Sequence, residues 1–171
     1  MKRRIATAGF SLVEVLVALV VIGIGMLGLA KIQALAYTST GTASLRSLAA
    51  LQASSLASAM HANRNYWSVL PPLFSYQFAG TTAPVTTDAT LTGAGCTAAC
   101  AAGPLAAYDV QTWVTAVNAI LPNASGIISC PTNAPVSCMI QLTWGESNVA
   151  INAQAQGNTM AAPTYTLYVV P

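Results

Sequence analysis

Gly9-Phe10-Ser11-Leu12-Val13-Glu14-Val15-Leu16-Val17-Ala18-Leu19 runs without a break into Val20-Val21-Ile22-Gly23-Ile24-Gly25-Met26-Leu27-Gly28-Leu29-Ala30, and the fold turns on how this stretch is read. Between Phe10 and Ala30 only Ser11 and Glu14 interrupt the apolar side chains and glycines. As a helix the run measures roughly 31 Å at about 1.5 Å per residue, which is one bilayer crossing. Lys2-Arg3-Arg4 stands on its amino side. The positive-inside tendency therefore places residues 1–9 in the cytoplasm and everything after Lys31 across the membrane.

The rest of the composition narrows the function classes. Of 171 residues 54% are hydrophobic and only 6% charged, which excludes a disordered tail. Half of the six basic residues belong to the leader, and residues 65–171 carry Asp88, Asp109 and Glu146 but no Lys or Arg. Binding to a phosphate backbone needs several cations, so the head is expected to bind no nucleic acid directly.

An ordinary secretory signal is the plain rival for the apolar run, and Ala34-Leu35-Ala36 supplies a cleavage-like site ahead of Tyr37. It would release a periplasmic binding module after Ala36. Against it, the apolar core is about twice the ~7–15 residues usual for such signals. A carboxylate central in a bilayer also costs about 2.5–3.5 kcal/mol on insertion scales, and such a residue is by default functional. Gly23 to Gly28 spells G-x-G-x-x-G, but within a membrane span and with Asp88 as the next acid it lacks the strand, helix and acidic residue that a dinucleotide site needs. Those glycines read instead as weak points of a long helix, each costing ~1 kcal/mol relative to alanine.

Gly9-Phe10-Ser11-Leu12-Val13-Glu14, behind a short basic leader and ahead of an apolar helix, resembles the cleavage and methylation motif of type IV prepilins and pseudopilins. The resemblance implies that a prepilin peptidase cuts after Gly9 and methylates the new amine of Phe10. It also implies that Glu14 is the assembly residue. A neighbouring subunit's terminal amine would make the buried carboxylate tolerable. At about 4 Å and an effective dielectric near 20 such a pair attracts by roughly 4 kcal/mol before desolvation is subtracted.

Beyond the membrane Leu45, Leu48, Gln52, Leu56 and Met60 recur every three or four residues, with Ala49, Ala53 and Ala57 widening the stripe. This predicts an amphipathic stalk helix over 31–64, ended by Asn63, Asn65 and Pro71-Pro72, with Arg46 and Ser47 on other faces. Residues 65–94 read as an irregular linker with one short strand near Leu73 to Phe78. From Leu105 to Leu121 the residues Val110, Trp113, Val114, Val117, Ile120 and Leu121 share a helical face, Asp109 suits the first turn or cap, and Pro122 stops the helix. Ile127–Ser129, Met139–Trp144 and Tyr165–Val170 read as strands. The fold expected is α+β and type IV pilin-like: leader 1–9, transmembrane segment 10–30, amphipathic half 31–64, and a head over 65–171 with an antiparallel sheet and one short helix. Trp113 and Trp144 are expected in the core.

Cys96, Cys100, Cys130 and Cys138 are even in number and lie beyond the membrane segment, which reads as disulfides in an oxidising compartment. Three connectivities are possible. Cys96–Cys100 and Cys130–Cys138 are favoured because short loops close first. The spacings fit no common zinc finger, and the lone His61 on the stalk provides neither a ligand set nor a catalytic base, so no metal, cofactor or enzymatic activity is expected.

Val21 to Ala30 with Gln33, Met60-His61-Ala62-Asn63-Arg64, and Asp109, Trp113, Leu121-Pro122 and Thr143-Trp144-Gly145-Glu146 are similar to PilV-type minor pilins. His61 departs from the arginine usual at that place. The resemblance implies a minor pilin of the type IV pilus, stored in the bacterial inner membrane with its head in the periplasm and then placed in the cell-surface pilus. Its implied partners are other minor pilins, the major pilin and a tip adhesin, and its implied outputs are pilus assembly, adhesion, twitching motility or DNA uptake. A minor pseudopilin of type II secretion is the neighbouring alternative.

Overall fold

The computed structural model describes residues 9, 11–71, 73–96, 99–131, 135–146 and 162–171. The chain forms two compact units, Met1–Thr40 and Gly41–Pro171, and helix α1 (Leu12–Ala62) contributes to both. The carbonyl of Ser11 starts that helix by accepting from the amides of Glu14 and Val15 at 3.0 and 3.3 Å. Gly23, Gly25 and Gly28, expected as weak points, leave the helix uninterrupted. In the first unit Leu12, Val13, Leu16, Ile24 and Leu27 are all more than half exposed. A contiguous apolar surface of this kind fits membrane anchoring.

In the second unit α1 ends where Asn63 leaves helical geometry at φ −114°, ψ 52°. A single turn, α2 (Arg64–Trp67), then leads into β1 (Phe74–Ala79), β2 (Val85–Thr86) and a 3-10 turn at Ala89–Thr92. Helix α3 (Ala102–Ile120) and strands β3 (Ser125–Cys130), β4 (Cys138–Thr143) and β5 (Thr164–Val169) complete it. The strands form one antiparallel sheet in the order β2-β1-β3-β4-β5.

Register explains the core. Tyr76, Ile128, Ile140 and Leu167 lie in one row across the sheet, and Phe78, Gly126, Leu142 and Tyr165 in the next. Because strand side chains alternate, these rows share one face with Phe74, Cys130, Cys138 and Val169. That face belongs to one hydrophobic cluster with Ala49, Ala53, Leu56, Ala57 and Met60 of α1 and Ala106, Val110, Trp113 and Val117 of α3. The opposite face is uncharged, built from residues such as Ser75, Gln77, Ile127, Gln141 and Thr166.

Three expectations change. Residues 65–94 are more ordered than an irregular linker, because Phe74, Tyr76 and Phe78 bury one face of an interior strand and Asp88 caps the 3-10 turn by accepting from the Thr90 amide at 2.9 Å. Helix α3 starts at Ala102 rather than Leu105. Pro104 falls in its first turn, where a missing amide hydrogen costs no helical bond. Asp109 is consequently neither first-turn residue nor cap, and sits in mid-helix, two turns in. At the other end Leu121 takes the extended conformation that a following proline favours, so the helix stops as expected.

Both tryptophans singled out in the sequence are core residues, Trp113 5% and Trp144 2% exposed. The alanine stripe of α1 permits a close approach: Trp113 Nε1 donates to the carbonyl of Gln52 at 2.8 Å. Trp67 is fully buried, edge-on to Phe74, and its indole N–H has no acceptor among the described residues.

Gly126 is fixed by contact rather than by backbone angle. A Cβ there would stand 2.5 Å from Phe78 Cε1 and 3.0 Å from Leu142 Cδ2. Gly126→Ala should therefore lower stability by about 1–3 kcal/mol. Gly41→Ala, in a helix with open space around it, should raise stability by up to ~1 kcal/mol. Thermal melts of the full chain in detergent check both, and an unaffected Gly126→Ala protein would mean that the Phe78 ring does not hold its place.

Candidate functional site

The amino-terminal segment sets out the residues of the processing motif. Gly9 is exposed, with nothing within 4 Å of where a Cβ would stand. Phe10, the expected new amino terminus, and the basic leader lie outside the described residues. Glu14 occupies the first turn of α1, where a negative charge suits the positive end of the helix dipole. It is exposed, and no described residue forms an ion pair with it. Its helix is long and apolar enough to cross a membrane.

The cysteines fall into two pairs. Cys96 bonds to Cys100, and Cys130 to Cys138. The second pair joins the last residue of β3 to the first of β4, closing the hairpin next to the Ser129–Met139 register. Closing a loop of that length stabilises by about 2–3 kcal/mol in the chain-entropy account. Met60, two residues before the end of α1, is buried, and His61 beside it is exposed. Asn63 is 5% exposed and its Nδ2 donates to the Ala102 carbonyl at 2.8 Å, tying the end of α1 to the start of α3.

Two polar clusters of the head escaped the sequence reading. In the first, Tyr66 Oη donates to Asp88 Oδ2 at 2.8 Å. Burial, and then the Asp88 hydrogen bond, push the tyrosine well above its ordinary range. Burial pulls the Asp88 carboxyl upward, but the Thr90 and Tyr66 hydrogen bonds outweigh it and hold the group below its usual value. The second cluster clamps α1 to the segment after β4. Arg46 Nε and Nη2 donate to Glu146 Oε1 and Oε2 at 3.0 and 3.1 Å, and Trp144 Nε1 adds a donor to Oε1 at 3.3 Å. The carboxylate side chain is 6% exposed beneath an arginine that is 64% exposed. The amides of Trp144 and Gly145 donate to the carbonyls of Pro163 and Pro122, so the same segment is held to the approaches of β5 and to the end of α3.

Hydrogen bonds from Arg46, aided by its charge and by Trp144, hold Glu146 below its ordinary 4.5. A depressed carboxyl contributes stability that is complete above its ordinary value and is lost as pH falls through the lower folded value. Glu146→Gln should therefore melt below the parent protein at pH 7, with the gap closing as the pH drops below 4.5. A gap that persists unchanged in acid would show that the charge is not what matters.

Compared with known protein families, residues 5–30 match the prokaryotic N-terminal methylation motif. No curated protein and no solved structure matches the chain. The match supports a type IV pilin-like protein, a pilin or pseudopilin in general, and the long apolar helix followed by a small antiparallel head is consistent with the type IV pilin fold.

Proposed function

We propose that this chain is a minor pilin of the type IV pilus, of PilV type, structural rather than catalytic. The observation that carries the reading is the methylation motif at residues 5–30, running into an exposed apolar helix with Glu14 in its first turn. Processing removes residues 1–9, residues 10–30 hold the subunit in the inner membrane, and the head over 65–171 is presented in the periplasm and then on the cell surface. The partners are prepilin peptidase, other minor pilins, the major pilin and a tip adhesin. The Met60-to-Arg64 helix end and the Thr143-to-Glu146 segment support the PilV assignment by resemblance. In the structure both segments fasten the helices and sheet of one head.

The chemistry of the amino terminus is simple. An open glycine admits the peptidase at the cut, and the methylated Phe10 amine becomes a cation that a neighbouring subunit's Glu14 can hold in lipid. No cationic side chain of the mature chain precedes Lys31, 17 residues beyond Glu14 and roughly 25 Å of helix away.

The mature protein should begin at methylated Phe10 by mass spectrometry, whereas a start at Tyr37 would assign a module released after Ala36. Glu14→Ala should be inserted and cleaved normally yet be depleted from sheared pili. Co-purification at parental levels would remove the assembly role from Glu14. Deleting the gene should reduce surface pili, and a loss confined to protein secretion would assign the chain to a type II system instead.

A further inference from the structure

The unit Gly41–Pro171 contains five Asp, Glu and Arg side chains, Arg46, Arg64, Asp88, Asp109 and Glu146. Arg46 and Glu146 satisfy each other, and Asp88 is held by Tyr66 and Thr90. One acid and one base remain. Neither Asp109 nor the Arg64 guanidinium has an ion pair or side-chain hydrogen bond among the described residues. Both belong to the helical layer, and the described strands carry no charge of either sign.

Asp109 is also set in a shaped place. It lines an open groove of about 230 Å³ between α1 and α3, together with Gln52, Ser55, Tyr108, Thr112 and Trp113. The groove withholds water from the carboxylate, which raises its pKa, and supplies no donor in return. Arg64 has the complementary form. It is exposed at the corner where Asn63 breaks α1 and the single turn of α2 begins. Its guanidinium is a planar fork suited to a carboxylate.

We propose that the groove between α1 and α3 is a docking site for a second copy of this chain, whose Arg64 enters it and pairs with Asp109. Acid and base are different residues, so the contact either repeats head to tail or forms twice about a two-fold axis. The inference uses residues of the head unit alone and does not depend on the pilus assignment.

The test uses two full-length copies of different size, produced together in bacterial membranes. The smaller carries a photo-crosslinking benzoylphenylalanine in place of Ser55, an exposed residue of the groove. Irradiation should join the two copies. Asp109→Arg in the smaller copy, or Arg64→Asp in the larger, should each cut that product about five-fold, and the two reversals together should restore it to within about two-fold. The double reversal also guards against a variant that merely fails to fold. The proposal is overturned if no product forms, if neither reversal lowers it, if the combination fails to restore it, or if the groove crosslinks only to a different protein.

Discussion

The head depends on how closely α1 can lie beneath it. Ala49, Ala53 and Ala57 remove side-chain bulk from one stripe of the helix, and all three are buried. Trp113 can then reach the helix backbone itself and donate to the Gln52 carbonyl. A larger residue at any of the three would force the layers apart and strand that indole N–H in an apolar core, where an unmade hydrogen bond costs about 1–3 kcal/mol. Phe78 stands edge-on to the same indole and over Gly126, so the approach of helix to sheet and the approach of ring to strand are one arrangement.

A single helix here presents two kinds of surface. Its earlier part exposes a largely apolar surface, interrupted at Glu14, while residues 49–60 bury an alanine and leucine stripe against protein. Charge is rationed accordingly. The head keeps few ions, and most of them are spent on clamping: Arg46 over Glu146, and Asp88 beneath Tyr66.

Much of this was legible in the residues. The apolar run, the alanine stripe, the Val110–Val117 face and the alternation of Ile140 and Leu142 are short-range patterns, and periodicity reports them directly. The two disulfides followed the closeness of their partners in sequence. What stayed hidden is long-range or depends on a single bond. Arg46 and Glu146 are 100 residues apart, and nothing local marks them as a pair. The early start of α3 rests on the tolerance of a first turn for Pro104, whereas an acid such as Asp109 looked the more natural signal for a helix start. The strand at Phe74–Ala79 was visible, but its interior place in the sheet came only from pairing with Ser125–Cys130. In the processing motif the sequence reading went further than the structure does, since Phe10 lies outside the described residues.

The bond between Cys130 and Cys138 does more than close a hairpin. It sits beside the register of β3 on β4, where a slip of one residue would turn every core side chain outward. Disulfides form and persist mainly in oxidising compartments and are rare where thiols are kept reduced. A head held back in a reducing compartment thus keeps four free thiols, and one that has crossed carries two covalent bonds. If the head crosses the membrane as proposed, its sulfur chemistry becomes a lasting record of the direction in which the chain was threaded.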